Sequence, residues 1–276
     1  MPEIAELRTD ADILDFYLCN RNLLSIDVND LFKNKTSGIE EFKEQLPLKI
    51  NKVMSKAKKL FIKLENNWWI IMTYGMTGSI SNDKGKHSHI TFKMEDHNIG
   101  FNEFFYNDPR RIGSFVVTND SEIFEYHATD MAKQIVLGYK YNFFESIKHE
   151  EFAENIKKGG KKSLAKLLMD QRSICSGIGN YLLSEIFFEA RLHPDIKCSD
   201  LDDDSIESLY MACYTVIYDS YDNHGVSMSD YINADGIKGE YGNKLKVYGR
   251  EGQIIDGKVI KMKKGLHGRN IWYVEF

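Results

Sequence analysis

Apolar residues recur at Ile4, Leu7, Ala11, Leu14 and Leu18. That three-and-four spacing marks one face of a helix, so the chain is predicted to open on an amphipathic helix with Pro2 at its tip. From Lys58 the rhythm changes to period two. Leu60, Ile62 and Leu64 alternate with other residues, Glu65–Asn67 has the composition of a turn, and Trp68–Tyr74 is a nearly continuous apolar run. Ile90, Phe92 and Met94 alternate again, and Phe101–Tyr106 and Ser114–Thr118 read as further strands. The N-terminal half is therefore expected to be a helix plus a β-rich sandwich or barrel. Thr129–Phe144 is mixed in character and reads as a linker. Beyond it the helical period dominates, over Ser146–Lys158, Leu164–Gln171, Tyr181–Ala190 and Ser205–Asp219. The third of these is apolar nearly all round and should be buried. Short strands are expected in the tail at Lys246–Tyr248, Lys258–Lys261 and Ile271–Val274, separated by Gly252, Gly257 and Gly265. The fold class is α+β, with no internal repeat.

A chain of 276 residues suits two modest domains with a cleft between them. Its longest strongly apolar run, around Trp68–Met72, is far too short to cross a bilayer, and its N-terminal stretch shows no basic segment followed by an apolar core. No membrane partner is expected. The cysteines, Cys19, Cys175, Cys198 and Cys213, are scattered, which indicates neither a disulfide framework nor a zinc knuckle and fits a reducing, intracellular location. A net charge of −5 argues weakly against a nucleic-acid partner, but its distribution matters more than its sum. Acid gathers at Asp200, Asp202, Asp203, Asp204 and Glu207, whereas the segment from Lys238 to Arg269 is clearly basic. A basic groove beside an acidic shoulder is allowed.

Several short stretches carry chemistry. In MPEIAEL, proline and acidic residues suit a helix start, where a missing N–H costs nothing and carboxylates complement the helix dipole. The same residues suit a nucleophile: with Met1 removed, Pro2 presents a secondary amine beside Glu3, with Glu6 one turn on. SGIGN, Ser176–Asn180, is either a plain helix hairpin or an anion site in which glycines leave N–H groups open at a helix start. YGMTGS and NDPRRIG are glycine-bearing loops that end strands, and each is either a plain turn or a source of probes, Met76 and Ile112, beside the guanidiniums of Arg110 and Arg111. Apolar wedges next to arginine fill the gap left when a nucleotide leaves the DNA stack. VYGREG, with Tyr248 and Arg250, and LHGRN, with Arg269 near a hairpin tip, add phosphate-grade cations.

Taken together, MPE, AKKL at Ala57–Leu60, GMTGS, DPRRIG, LMDQ with GIGNYLLSE, HPD at His193–Asp195 and VYGREG resemble the formamidopyrimidine-DNA glycosylase/endonuclease VIII (Fpg/Nei) family, in family order and from end to end. The resemblance implies an N-terminal β-sandwich with a leading helix over 1–138, a helix-two-turn-helix domain over 139–243 and a finger over 244–276. It implies an enzyme of base excision repair, a DNA glycosylase and abasic-site lyase, working as a monomer on damaged DNA at the genome, whether in nucleus or cytoplasm. Pro2 is then the nucleophile, Glu3 its acid/base partner, Glu6 a supporting carboxylate, and Lys58, Arg269 and Asn180 phosphate ligands. Met76, Arg110 and Ile112 take the void-filling positions, and Arg111, Gly179, Tyr248 and Arg250 complete the DNA surface.

Two departures stand out. Many members end in a four-cysteine zinc finger, but Lys244–Phe276 holds no cysteine and only His267, so a zincless finger with neither metal nor cofactor is expected. His87 and His89 read as an exposed polar pair. Ile112 stands where formamidopyrimidine enzymes carry phenylalanine, which leans toward the endonuclease VIII branch and toward oxidised pyrimidines and hydantoins. Against this, Tyr231–Asn243 resembles in length and glycine placement the loop that covers 8-oxoguanine. The Lys-, Asn- and Ile-leaning composition suggests an AT-rich genome such as that of a giant DNA virus. A non-catalytic helix-two-turn-helix nucleic-acid-binding protein is the alternative.

Overall fold

The computed structural model describes residues 2–96, 101–120, 130, 146–227 and 231–276. The expected linker lies outside them except for Asp130. The described residues form two compact units. The first holds 2–96, 101–120, 224–227 and 231–240; the second holds 130, 146–223 and 241–276.

In the first unit, α1 (Ile4–Leu18) buries the stripe expected of it, Ile4, Leu7, Ala11, Leu14 and Leu18. Its far end is fixed to β3 (Leu48–Lys56) by Asp15, which accepts from Lys52 Nζ at 2.6 Å and from Val53 N at 2.7 Å. The remaining elements are β1 (Asn22–Val28), β2 (Thr36–Ser37), a short α2 (Ile39–Lys43), β4 (Lys59–Leu64), β5 (Trp69–Thr73), β6 (Ser79–Ser81), β7 (Ser88–Met94), β8 (Glu103–Asn107) and β9 (Ser114–Thr118). Strand order is β2-β9-β5-β4-β3-β1-β7-β8-β6, antiparallel except for β2 beside β9. Although β7 and β9 lie in opposite halves of that order, Phe92 and Phe115 meet with ring centroids 5.8 Å apart. The sheet therefore folds back over itself and encloses one apolar core, which takes in the α1 stripe.

The apolar pattern foresaw β4, β5, β7, β8 and β9. It missed β1 and β3, because NLLSIDV and LKINKVMSK interleave polar and apolar residues without a clean period. His89 is a correction. It is buried, stacked on Phe32 at 5.1 Å between centroids, and Nε2 lies 3.0 Å from the Asp108 carbonyl. Only His87, which precedes β7, is exposed.

The second unit is helical: α3 (His149–Gly159), α4 (Leu164–Met169), α5 (Asn180–Glu189) and α6 (Asp203–Asp222). The acidic shoulder is explained here. Asp202 caps α6 by accepting from Ser205 N at 2.9 Å, and Asp203 and Asp204 occupy its first turn, where they complement the helix dipole. As expected, α5 is buried along nearly its whole length, from Asn180 to Phe188. The tail forms two hairpins, β10 (Ile254–Ile255) with β11 (Lys258–Val259) and β12 (Lys261–Lys264) with β13 (Asn270–Tyr273). Phe188, Val247, Ile260 and Val274 form their common core.

Lys246–Tyr248 is not a strand. The Glu185 carboxylate on α5 accepts the N–H groups of Lys246 at 2.7 Å, Val247 at 3.0 Å and Tyr248 at 2.8 Å. Three consecutive donors turned toward one acceptor wrap the backbone around a point, which a strand ladder does not allow.

Candidate active site

At the start of α1, the two readings of MPEIAEL turn out to be compatible. Glu3 is the N-cap in extended conformation, and its N–H donates to Glu6 Oε2 at 2.7 Å in a capping box. Pro2, Glu3 and Glu6 are all buried, the two glutamates at 2% and 1% exposure. The other Glu6 oxygen, Oε1, accepts from Val226 N at 2.6 Å. Gly225 makes that approach possible: its φ is +75°, and a Cβ there would stand 2.4 Å from Glu6 Oε1. Lys58 lies in the two-residue turn between β3 and β4, half-buried, after Ala57 with φ 55°.

The two glycine loops of the same unit converge. Met76 and Ile112 are exposed, at 47% and 43%, and Arg110 Nη1 approaches Met76 Sδ at 3.4 Å. Arg111, exposed, adopts φ 52°. The joint is Asp108, wholly buried. Its Oδ1 accepts from the Thr77 hydroxyl at 2.8 Å and Arg110 N at 3.3 Å, and its Oδ2 from Gly113 N at 2.8 Å. One carboxylate thus fixes both loops relative to each other. Gly113 has no alternative, since a Cβ would fall 1.9 Å from the Tyr106 hydroxyl.

In the second unit, Gln171 shapes the double turn between α4 and α5. Its Nε2 donates to the carbonyls of Met169 at 2.8 Å and Ile178 at 3.1 Å, and its Oε1 accepts from Gly177 N at 2.8 Å. Gly179 is then the extended N-cap of α5, and Asn180 its first residue. Asn180 Nδ2 donates to the Asn270 carbonyl at 3.0 Å, while its Oδ1 lies 3.1 Å from His267 Nε2. Burial, and then the charge of Arg269, hold the His267 pKa below its usual value. The ring is therefore neutral at pH 7 and donates through Nε2. These contacts place Asn180 beside the β12–β13 turn that carries the exposed Arg269. Tyr248 packs on Trp272 with centroids 4.5 Å apart, and half-buried Arg250 donates its backbone N–H to the Val247 carbonyl at 3.1 Å.

Residues 1–115 match the profile of the formamidopyrimidine-DNA glycosylase N-terminal domain, and residues 140–231 match that of the formamidopyrimidine-DNA glycosylase H2TH domain. The chain belongs to the Fpg/Nei family. The formamidopyrimidine-DNA glycosylase of Rickettsia africae is 29% identical over 282 residues, covering 99% of this chain and 97% of the relative. That of Oceanobacillus iheyensis is 26% identical, covering 98% and 96%. Among solved structures, Lactococcus lactis Fpg bound to abasic-site DNA superposes with a TM-score of 0.82 at 21% identity, covering 99% of this chain and 97% of that one. The MutM (Fpg) protein of Thermus thermophilus gives 0.83 at 22%, with the same coverage. These structures share the α+β fold.

Within this Fpg/Nei chain, Asp108, Gln171, Glu185 and Asp10 hold positions to which no sequence pattern assigned a role. The first three stand inside motifs already quoted, DPRRIG, LMDQ and GIGNYLLSE, and a buried turn needing an acceptor was the available signal. Asp10 carried none. No cluster of three or more His, Cys, Asp or Glu residues suited to a metal occurs among the described residues. No helix among them is long and apolar enough to cross a membrane.

Proposed function

We propose that this chain is a bifunctional DNA glycosylase and abasic-site lyase of base excision repair, acting as a monomer through a Schiff base on Pro2. The observation that carries the reading is the start of α1: a buried proline, ahead of an N-cap glutamate whose backbone is pinned by a second buried carboxylate. An amine there requires removal of Met1. A terminal amine titrates near about 8, and the positive end of a helix disfavours its ammonium form, so a neutral nucleophile is available near neutral pH.

The neutral Pro2 nitrogen attacks C1′ of the sugar; the glycosidic bond breaks, and the base leaves with a proton relayed by Glu3. Ring opening gives an iminium that is necessarily cationic, because proline nitrogen carries no second hydrogen to lose. The iminium acidifies C2′–H, whose loss expels the 3′ phosphate; a second proton loss, from C4′, expels the 5′ phosphate, and water hydrolyses the remaining adduct. Lys58, Arg269 and Asn180 are assigned to the phosphates; for Asn180, the second Nδ2 proton is what remains after the bond to Asn270. Met76, Arg110 and Ile112 fill the space vacated in the duplex, with Arg111, Gly179, Tyr248 and Arg250 along the backbone. An aliphatic rather than aromatic residue at Ile112 supports oxidised pyrimidines and hydantoins as the favoured lesions.

Borohydride trapping on abasic-site or thymine-glycol DNA tests the reading. The processed protein should crosslink, and both Pro2→Gly and a form retaining Met1 should lose most of the crosslink. Equal trapping by all three removes Pro2 from the chemistry. Salt-sensitive duplex binding without crosslink or incision marks the non-catalytic alternative.

A further inference from the structure

One turn of α1 beyond Glu6 stands a second wholly buried carboxylate, Asp10. Its Oδ1 accepts from Ala234 N at 2.9 Å. Ala234 and Tyr231 are buried in the core of the first unit, and the Tyr231 hydroxyl donates to the Glu6 carbonyl at 3.2 Å. Asn233 tightens this stretch into a turn, its Oδ1 accepting from Ile237 N at 2.8 Å. The turn is tied at its base: Val226 bridges Glu240, and Gly239 N donates to the Ser227 hydroxyl at 2.8 Å. Val226 in turn donates to Glu6, and Glu6 holds Glu3 N. The segment following α6 is therefore fastened to α1 at Asp10 and at Glu6, and the second fastening is the one that poises Glu3.

A carboxylate at Asp10 is otherwise an expensive choice. It is fully enclosed, lies at i+4 from Glu6 on the same helix face, and faces the hydroxyls of Tyr74 and Tyr231. Neither Oδ2 nor the Tyr74 hydroxyl has a partner in hydrogen-bond geometry among the described residues, so Tyr74 helps as a nearby dipole rather than as a full donor. Burial is the main cause that raises the Asp10 pKa to about 7, with the charge of Glu6 adding to it. An apolar residue would fill this site at lower cost, but it would leave Ala234 N–H without an acceptor.

We propose that Asp10 is a positioning residue for the Pro2–Glu3 end of α1: it holds residues 231–240 in place, and through Val226 and Glu6 that segment fixes the backbone carrying Glu3. The inference rests on the reading of Pro2 and Glu3 as the reacting pair, and its test is arranged so that the two fail separately.

The test compares Asp10→Ala, Asp10→Asn and Tyr231→Phe in the full processed chain. Hydrogen exchange followed by mass spectrometry reports on the peptides over 231–240 and 2–10, independently of activity. Single-turnover cleavage of abasic-site DNA under saturating enzyme reports on the chemical step, and titration gives Kd. Asp10→Ala should speed exchange in both peptides and slow single-turnover cleavage about tenfold, the equivalent of one buried hydrogen bond, with Kd changed less than about twofold. Asp10→Asn keeps an acceptor for Ala234 and should stay within about threefold of the original rate; Tyr231→Phe should fall between the two. If Asp10→Ala does not fold, the other two variants still decide the matter: Asp10→Asn should keep the original exchange over 2–10, and Tyr231→Phe should speed it. Unchanged exchange over 2–10 in Asp10→Ala or Tyr231→Phe, an unchanged rate in Asp10→Ala, or a loss shared equally by rate and Kd overturns the proposal. Absence of cleavage by the unaltered enzyme would instead sink the Pro2 assignment, leaving the exchange measurements to judge Asp10.

Discussion

Two buried glutamates perform the same mechanical task in different settings. In the helical unit, Glu185 on α5 gathers three consecutive N–H groups from Lys246, Val247 and Tyr248. In the β-rich unit, Glu6 on α1 accepts from Glu3 and Val226, and its neighbour Asp10 accepts from Ala234 N. Each arrangement binds a late segment of the chain to an earlier helix. The Glu185 clasp is well supplied with donors, so it works as scaffold. The α1 clasp is spread over two like-charged groups one turn apart, an arrangement that costs stability.

The largest effect should come from emptying the richer clasp. Glu185→Ala leaves the N–H groups of Lys246, Val247 and Tyr248 without their acceptor and should cost about 3–5 kcal/mol, read as a lower unfolding midpoint with loss of the finger first. If the loss is below about 1 kcal/mol, water replaces the carboxylate and the two clasps do not differ as described.

Asp10→Asn should act in the opposite direction. A carboxyl with its folded pKa raised to about 7 contributes favourably while protonated, and that contribution is lost as pH rises through 7. Near pH 4 variant and parent should unfold alike. Above pH 8 the variant should be more stable, by on the order of 4 kcal/mol at most. A pH-independent difference would show that Asp10 is not the group being titrated.

Gly225→Ala should follow in size, since a left-handed backbone and contact with the Glu6 carboxylate combine to cost about 1–3 kcal/mol. Here cleavage at an abasic site should fall further than stability predicts, because the displaced group is Glu6 itself. The smallest change is expected at Asp108→Asn, about 1 kcal/mol in stability; DNA binding should weaken too if the loops of Met76 and Ile112, which Asp108 anchors, meet the duplex as proposed.

Most of the architecture was legible in the chain because it rests on strict periods. The α1 stripe, the alternation of β4 and β7 and the uniformly apolar α5 each declare both an element and its burial. The start of α1 was legible because it is local, a proline and two glutamates ahead of an apolar stripe. Structure held by a distant carboxylate was not. Lys246–Tyr248 has a plausible strand pattern, and only the position of Glu185, 61 residues earlier than Lys246, shows that its N–H groups turn inward. Asp10 was silent for the same reason, with its partner Ala234 lying 224 positions away. His89 misled because alternation reports a face of the sheet, whereas its burial depends on Phe32 stacking from outside that strand.

The finger carries a consequence of its own. Its cohesion comes from Phe188, Val247, Ile260 and Val274, and the stretch from Lys244 to Phe276 contains no thiol. Peroxide and related oxidants attack thiolates readily, so a four-cysteine version of this module is vulnerable to the conditions that damage bases. A hydrocarbon core offers those oxidants no comparable target, and this tip should keep its shape in peroxide.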